Sequence, residues 1–434
     1  MSEGEQLAMI REAVIRSGQD RSCLKAGLFG QAPPRRPELI PGLRSRSSMT
    51  ISHIRSPDRP AIRLIGAADR RLWGLTGAER LRRTLRRAGI DPALSATGRG
   101  GLVLLRTDYL YDESLVRALL GRPDGALVDG AGRVVAVHVG PDIVAAGSAS
   151  ADEENLESLV DRVGIARLGV LELAGSYDAT LRKRATPYLL PLGDTKRDVL
   201  ERASFSGAYK GATDFVTKYL WPWPARQVTR WCAAIGISPN AVTFVSLLLV
   251  IAAFWLFWTG QFALGLVAAW AMTFLDTVDG KLARVTLTST KAGEVFDHGI
   301  DLVHPPFWYW AWYVGLATIE VPSSMGEWLL PSLWVIVAGY VLGRVEEGYF
   351  MARFGIEIHI WRPVDYWFRT ITARRNPNLA ILTIAVLFVA PAEGFVAVAV
   401  WTVASLLFHL VRIVQATFER RRVGRLQSWL TEAA

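Results

Sequence analysis

The pattern of apolar and polar residues divides the chain into two unlike parts. Up to about residue 200, short apolar runs alternate with charged segments, whereas long apolar runs follow one another beyond about residue 240. The predicted strands of the first part are Ala61–Ile65, Leu102–Leu105 and Val134–Val139, and its predicted helices are Gly77–Ala88, Glu113–Leu120 and Glu154–Val163. Because strands and helices alternate, we expect an α/β domain over residues 59–200 with a mainly parallel sheet.

The second part predicts a bundle of membrane-spanning helices, because a span needs about 20 mostly apolar residues to cross the hydrocarbon core. The candidate spans are 240–258, 262–284, 295–318, 328–351, 378–392 and 394–416, of which the fifth is short. We therefore predict an α-helical integral membrane protein with about six transmembrane helices, preceded by a cytoplasmic α/β domain.

The remaining segments complete the predicted domain order. Residues 1–58 carry scattered Arg, Ser and Pro without periodicity, which predicts a loosely ordered segment. Residues 201–238 mix Trp, Tyr, Lys and Arg with apolar positions, as an amphipathic helix in the membrane interface does. We place the membrane domain at 239–420 and a cytoplasmic tail at 421–434.

Basic residues predict the orientation of the spans. The connections around Thr259–Gln261, Glu320–Glu327 and Pro391–Gly394 contain no Lys or Arg, whereas those on the opposite side contain many. By the positive-inside rule both termini are cytoplasmic. The N-terminus lacks the basic start and apolar core of a signal peptide, which agrees with this orientation. We expect a multi-pass protein of the cell (inner) membrane.

Composition narrows the class of partner. The formal net charge is +9, which favours an anionic partner. Together with the membrane segments, this charge points to anionic lipids or phosphorylated substrates and not to nucleic acid. The chain contains only Cys23 and Cys232, so neither a disulfide framework nor a Cys-based zinc site is expected.

Four aspartates stand at the facing ends of the second and third spans. Asp276 and Asp279 are three residues apart and Asp297 and Asp301 are four apart, so each pair shares a helical face. Intramembrane Asp costs about 2.5–3.5 kcal/mol on insertion scales, and four converging carboxylates repel one another unless cations neutralise them. Oxygen ligands favour Mg²⁺ or Mn²⁺. An ion network in a transporter is the alternative reading.

Small and basic residues follow the first pair of aspartates. Gly280 and Ala283 lie on or beside the same helical face, where they allow a phosphorylated ligand to approach the backbone. Arg284 adds a bidentate donor for phosphate. Carboxylates, metal and Arg together describe a site that handles a diphosphate.

Residues 276–301 resemble the signature of the CDP-alcohol phosphotransferase (CDP-alcohol phosphatidyltransferase) family. That signature reads D-x2-D-G-x2-A-R-x8-G-x3-D-x3-D, and its eight fixed positions all match. The matching residues are Asp276, Asp279, Gly280, Ala283, Arg284, Gly293, Asp297 and Asp301. The resemblance covers about residues 205–420. It disfavours a membrane transporter, which gives no reason for the Gly, Ala and Arg.

The resemblance implies a reaction and a role for each matching residue. A substituted phosphate group, such as phosphatidyl, would pass from a CDP-alcohol such as CDP-diacylglycerol to an acceptor alcohol, with release of CMP. The implied ligands of a pair of metal ions are Asp276, Asp279, Asp297 and Asp301, of which Asp297 and Asp301 are the catalytic pair and Asp301 the general base. The implied nucleotide-binding residues are Asp279, Gly280, Ala283, Arg284, Gly293, Asn240 and Thr243. A homodimer is also implied.

The acceptor is predicted from the basic loop after the fourth span. The loop residues Arg362, Arg369, Arg374 and Arg375 would face the same cavity, as in family members that use inositol phosphate or glycerol phosphate. A solvated basic loop is the plainer alternative. The ARRNPN stretch resembles the branch that makes di-inositol-phosphate-type products, which leaves a synthase using soluble CDP-inositol as a second possibility.

Residues 61–140 distantly resemble sugar-phosphate nucleotidyltransferases, with Asp108 at the position of a metal-binding Asp. An active member has a Gly-rich loop followed by Arg, which cradles triphosphate on backbone amides. Here Ala67, Ala68 and Asp69 occupy that region. We therefore predict a degenerate domain retained for folding, dimer contact or regulation.

Overall fold

The computed structural model describes residues 59–91, 100–149 and 155–431, which belong to one compact unit. The predictions for residues 1–58 and for the end of the tail lie outside these residues. The division of the chain at residues 200, 238 and 420 stays a prediction.

The N-terminal part is an α/β region with a five-stranded sheet. The strands of this region form that sheet and two further two-stranded sheets, β3-β9 and β7-β8. They are β1 Ala61–Ile65, β2 Leu102–Arg106, β3 Tyr109–Tyr111, β4 Gly125–Val128, β5 Val134–Val139, β6 Ala166–Leu168, β7 Tyr177–Asp178, β8 Lys183–Arg184 and β9 Leu189–Pro191. Its helices are α1 Gly77–Arg87, α2 Glu113–Leu120, α3 Pro141–Ala145, α4 Leu156–Val163 and α5 Val170–Ala174. The three predicted strands and three predicted helices are confirmed.

The prediction of a mainly parallel sheet is wrong. The strand order is β1-β2-β5-β4-β6, in which β1–β2 and β4–β6 are parallel while β2–β5 and β5–β4 are antiparallel. Strand β4 was not predicted, and a short turn at residues 129–133 joins it to β5. A parallel pair needs a crossover of about a dozen residues, so this connection can only form a hairpin.

The predicted interfacial helix is interrupted. Residues in this region form α6 Arg197–Gly207, a π-helical turn Val216–Leu220 and α7 Pro222–Ile235. Pro222 stands at the start of α7, where a missing N–H is tolerated, and Gly236 ends the helix with φ 75°. Trp223 and Trp231 are 70% and 61% exposed, as expected of rings that meet lipid headgroups.

A helix lies at the position of each of the six predicted spans. These helices are α8 Pro239–Trp258, α9 Phe262–Val285, α10 Lys291–Leu316, α11 Ser323–Phe354, α13 Arg375–Leu387 and α14 Pro391–Val423, with the short α12 Pro363–Phe368 before α13. Within the described residues, the four that are long and apolar enough to cross a membrane are α8, α9, α11 and α14. The protein is therefore a membrane protein.

The other two helices differ from ordinary spans for separate reasons. Helix α10 has 26 residues but begins with the charged segment that carries Asp297 and Asp301. Helix α13 has 13 residues, which at about 1.5 Å each is shorter than the roughly 30 Å hydrocarbon core. A helix thus lies at each of the six predicted spans, and four of these helices have the length and composition of a span. That α10 and α13 also cross the membrane stays a prediction.

Candidate active site

Three carboxylates meet where α9 and α10 approach each other. One oxygen each of Asp276, Asp279 and Asp297 lies within 4.8 Å of the others, and no second group of this kind occurs in the described parts of the chain. A short connection reverses the chain, and Thr290 accepts a hydrogen bond from Gly293 N at 3.1 Å to begin α10. The structure therefore brings three of the four predicted aspartates together.

The cluster fits a hard divalent cation. Asp279 is 3% exposed, and its buried Oδ1 has no hydrogen-bond partner among residues 59–91, 100–149 and 155–431. An unpaired buried carboxylate oxygen is costly, and a bound cation would offset that cost. An all-oxygen donor set suits Mg²⁺ or Mn²⁺.

The start of α8 reaches this cluster. Thr243 Oγ1 donates a hydrogen bond to Asp279 Oδ2 at 2.6 Å. A Cβ added to Gly293 would lie 3.0 Å from Asn240 Oδ1, so Gly293 at the start of α10 packs closely on Asn240. The structure thus places Asn240, Thr243 and Gly293 beside the carboxylates, while their contact with a nucleotide stays a prediction.

Gly280, Ala283 and Arg284 occupy the last turns of α9. A Cβ added to Gly280 would lie 3.1 Å from Arg284 Nη2, so the missing side chain leaves room for the guanidinium. Arg284 Nε is buried without an acceptor in the described structure. A guanidinium with an unused donor beside a potential cation site suits phosphate oxygens. Its role, and that of the half-buried Ala283, stay predictions.

Asp301 is set apart from the other three aspartates. It lies one turn beyond Asp297, and its side chain is 40% exposed. Its Oδ1 accepts a hydrogen bond from Arg375 Nη1, while Arg375 Nη2 donates to Asp276 Oδ2 at 2.6 Å. Arg375, which the sequence assigns to the acceptor, thus bridges two carboxylates. The role of Asp301 as ligand or base stays a prediction.

The other three predicted acceptor cations have different surroundings. Arg374 donates to Glu347, and Arg362 pairs with Glu419 at 3.5 Å. Arg369 Nη1 is buried without an acceptor within the described ranges. Burial, followed by the charge of Arg374, lowers the pKa of Arg369 to about 9. Arg369 therefore has a buried guanidinium nitrogen that no residue of the described structure satisfies.

Sequence reasoning missed Glu347 and Tyr340. Glu347 contacts His359 Nε2 at 3.2 Å, and Tyr340 donates to the carbonyl of Leu302 at 2.9 Å, next to Asp301. A signal for Glu347 was present, because GRVEEGY places charges inside the predicted span 328–351, where charge is costly. Tyr340 carried no signal, since an aromatic residue in a span is common.

The candidate metal-binding residue of the α/β region is already paired. Arg106 donates to the two oxygens of Asp108 at 3.0 and 2.6 Å. These bonds lower the pKa of Asp108 and occupy both oxygens. The arrangement suits a degenerate domain, and the resemblance to nucleotidyltransferases stays a prediction.

The comparison with protein families concerns the part of the chain that carries the carboxylates. Residues 236–415 match the sequence model of a family described as CDP-alcohol phosphatidyltransferase. The match contains the whole signature between Asp276 and Asp301, together with the start of α8 and with Arg375.

Three curated relatives match a similar stretch. A cholinephosphotransferase 1 from Xenopus laevis is 30% identical over 139 residues, which are 28% of this chain and 33% of that protein. One from Gallus gallus is 31% identical over 141 residues, 28% and 39% of the two chains. An archaetidylinositol phosphate synthase from Pyrococcus horikoshii is 34% identical over 79 residues, 18% and 42%. This chain thus spans about a third of the length of the cholinephosphotransferases.

Proposed function

We propose that the protein transfers a substituted phosphate group from a CDP-alcohol to an acceptor alcohol, releasing CMP, because residues 236–415 match the CDP-alcohol phosphatidyltransferase family. The observation that carries the proposal is the group of Asp276, Asp279 and Asp297, whose oxygens lie within 4.8 Å of one another inside this domain. Such a group, with Arg284 beside it, suits the charge of a diphosphate.

Asp276, Asp279 and Asp297 would hold Mg²⁺ or Mn²⁺, in a pair of ions when Asp301 also contributes. A bound divalent ion neutralises charge on the diphosphate and polarises the phosphorus that is attacked. Thr243 fixes the orientation of Asp279 through its hydrogen bond of 2.6 Å, as outer partners of metal ligands do.

The protein's own groups account for the proton and the leaving group. Asp301 Oδ2 accepts the proton of the acceptor hydroxyl, because Oδ1 is occupied by Arg375. The acceptor oxygen then forms a bond to the β-phosphorus, and the bond between that phosphorus and the bridging oxygen breaks. The electron pair stays on the bridging oxygen, which departs as part of CMP. Arg284 contacts the phosphates and limits their movement.

The substrates follow from the basic surroundings and from the relatives. We infer CDP-diacylglycerol as the donor substrate. We infer inositol phosphate or glycerol phosphate as the acceptor, because a buried N–H group of Arg369 lies in the loop that leads to Arg375. The name archaetidylinositol phosphate synthase supports an inositol phosphate acceptor. The name cholinephosphotransferase makes CDP-choline a second donor to be tried, and soluble CDP-inositol a third.

The test is CMP release by the purified full-length protein in lipid nanodiscs. CDP-diacylglycerol, CDP-choline and CDP-inositol are each supplied with Mg²⁺ and with inositol phosphate, glycerol phosphate, inositol or diacylglycerol. We expect CMP from at least one pair, its loss with EDTA and its return with Mg²⁺ or Mn²⁺. The variant Arg284→Met tests the diphosphate contact. Absence of CMP from every pair overturns the proposal.

We also propose a location and an assembly for the enzyme. The loops without Lys or Arg support an orientation in the cell membrane with both termini and the carboxylates on the cytoplasmic side. The resemblance to the family supports a homodimer. Labelling of single cysteines from each side of sealed vesicles tests the orientation, and mass photometry of the nanodisc particles tests the dimer.

A further inference from the structure

Helix α1 of the α/β region lies against the end of α9, the helix that carries Asp276 and Asp279. Arg80 Nη1 donates a hydrogen bond to Val285 O at 2.8 Å, and Arg83 Nη1 donates to Thr286 O at 2.7 Å. Arg80 is 8% exposed. Both arginines lie outside residues 236–415, so the domain match assigns them no role.

The two guanidinium groups lie at the C-terminal end of α9, where the backbone carbonyl groups lack hydrogen-bond donors within the helix. The last carbonyl groups of an α-helix have no intrahelical donor, and positive charge is favourable beside them. Helix α9 ends at Val285, one residue after Arg284. Arg80 and Arg83 therefore satisfy the carbonyl groups that directly follow Arg284, the proposed phosphate contact.

Apolar packing makes the contact continuous. Leu72 and Trp73, just before α1, belong to the same buried cluster as Val278, Leu282 and Val285 of α9. Trp73 Nε1 also donates to Ser204 Oγ of α6 at 2.8 Å. The α/β region is thus joined to Val278, Leu282 and Val285 of α9 by one buried cluster, to which α6 and α7 also contribute.

The start of α1 packs against the sheet of the α/β region. A Cβ added to Gly77, the first residue of α1, would lie 1.8 Å from Thr107 O, so α1 presses directly on the chain that follows β2. Arg70, in the region of the missing Gly-rich loop, donates to Thr195 O at 2.8 Å and to the carbonyl of Leu192. Arg70 therefore fixes the segment between β9 and α6.

We propose that Arg80 and Arg83 are positioning residues, through which the α/β region holds the end of α9 so that Asp276, Asp279 and Arg284 keep the geometry needed for metal and diphosphate. The proposal rests on the proposed function for the identity of the reaction. It gives the α/β region a role that needs no nucleotidyltransferase activity.

The experiment compares Arg80→Met, Arg83→Met and the double variant with Arg82→Met, which changes an exposed arginine of the same helix. Full-length proteins in nanodiscs are used, and three quantities are measured. These are the affinity for Mn²⁺ by electron paramagnetic resonance, the hydrogen exchange of residues 279–288, and kcat and KM for CMP release.

We expect the double variant to bind Mn²⁺ about 10- to 100-fold more weakly, as loss of an outer partner of metal ligands does. Amides near Arg284 should exchange faster, and kcat should fall by about 10- to 100-fold because a small misplacement is costly. The KM for the acceptor should change little. Arg80→Lys should restore part of the Mn²⁺ affinity, and Arg82→Met should behave as the wild type.

Wild-type Mn²⁺ affinity and exchange in the double variant would overturn the proposal, as would equal losses in Arg82→Met. If the double variant does not fold, Arg83→Met and Arg80→Lys decide by the same measurements. The wild type could also release no CMP while the Arg80 and Arg83 variants, unlike Arg82→Met, bind Mn²⁺ more weakly than the wild type. In that case the positioning role stands and the proposed reaction fails.

Discussion

The hydroxyl of Thr243 on α8 contacts Asp279, a predicted metal ligand on α9. It is 5% exposed and lies 2.6 Å from Asp279 Oδ2 and 3.1 Å from Pro239 O. A hydroxyl has one proton to donate, and an ionised carboxylate can only accept. Because the contact with Asp279 is the shorter one and a charged acceptor gives the stronger bond, the proton goes to Asp279. The start of α8 therefore fixes the direction in which Asp279 presents its other oxygen.

Thr243→Val removes this hydrogen bond while keeping the shape of the side chain. We expect the affinity for Mn²⁺ to fall by about tenfold, as for other partners of metal ligands. Thr243→Ser keeps the hydroxyl and serves as the control. Electron paramagnetic resonance of bound Mn²⁺ measures both. Equal affinities in the Val and Ser variants would contradict the role given to the hydroxyl.

Asp301→Asn tests the proposed base. The amide keeps the size of the side chain but cannot take the proton of the acceptor hydroxyl, so turnover should be abolished. Binding of the CDP-alcohol should be largely spared, because Asp276, Asp279 and Asp297 remain. Calorimetry measures binding and CMP release measures turnover. Near-normal turnover by this variant would refute the assignment.

The aspartates could be found from the sequence because their spacing is local. A separation of three or four residues places side chains on one face of a helix wherever that helix lies. Arg375 could not be placed in this way. It lies 74 residues from Asp301 and 99 from Asp276 along the chain, and only the packing of α13 against α9 and α10 brings it between them.

At the scale of elements, glycine contacts decide how closely the long helices approach. A Cβ added to Gly315 of α10 would lie 1.9 Å from Phe257 O of α8. Gly315 follows Trp308 and Trp312, which pack against Phe257 in the core of the helix bundle. This contact holds α8 and α10 together at the end of the bundle away from the carboxylates.

Gly315→Ala should destabilise the bundle by about 1–3 kcal/mol, because the backbone of α8 must move to admit the methyl group. Gly326→Ala is the matched control, since a Cβ there meets nothing within 4 Å and Ala favours a helix. Thermal unfolding in detergent compares the two variants. An unfolding temperature lowered as much by Gly326→Ala would contradict the packing explanation.

The sequence predicted those elements whose pattern lies within one segment. It did not predict features that depend on contacts with other segments. Strands β1, β2 and β5 are short apolar runs and were found. The pairing of β2 with β5 is antiparallel, and nothing within either strand encodes that direction. The break between α6 and α7 was also missed, because amphipathic composition indicates an interface and not whether one helix or several occupy it.

At the scale of the whole molecule, the α/β region and the membrane helices form one compact unit. The buried cluster that contains Leu72 and Leu192 also contains Ala225 and Val278, so one cluster joins loops of the α/β region to α7 and α9. The α/β region thus contacts the helices that carry the candidate site, and its own candidate metal ligand, Asp108, is held by Arg106.

The full-length variant Asp279→Asn should therefore show no nucleotidyltransferase activity. Supplied with CTP, Mg²⁺ and candidate alcohol phosphates, it should release no pyrophosphate, because Asp108 is occupied and Ala67 and Ala68 replace the Gly-rich loop. The Asp279 substitution removes the transferase reaction, so any product comes from the α/β region. Pyrophosphate release above a boiled control would overturn the view of a degenerate domain.

The bridge that Arg375 forms between Asp276 and Asp301 also bears on the folded protein before it binds metal. Uncompensated carboxylates within a bundle of membrane helices are costly, and a paired guanidinium offsets part of that cost. The charge balance of the apo protein therefore does not depend on metal alone.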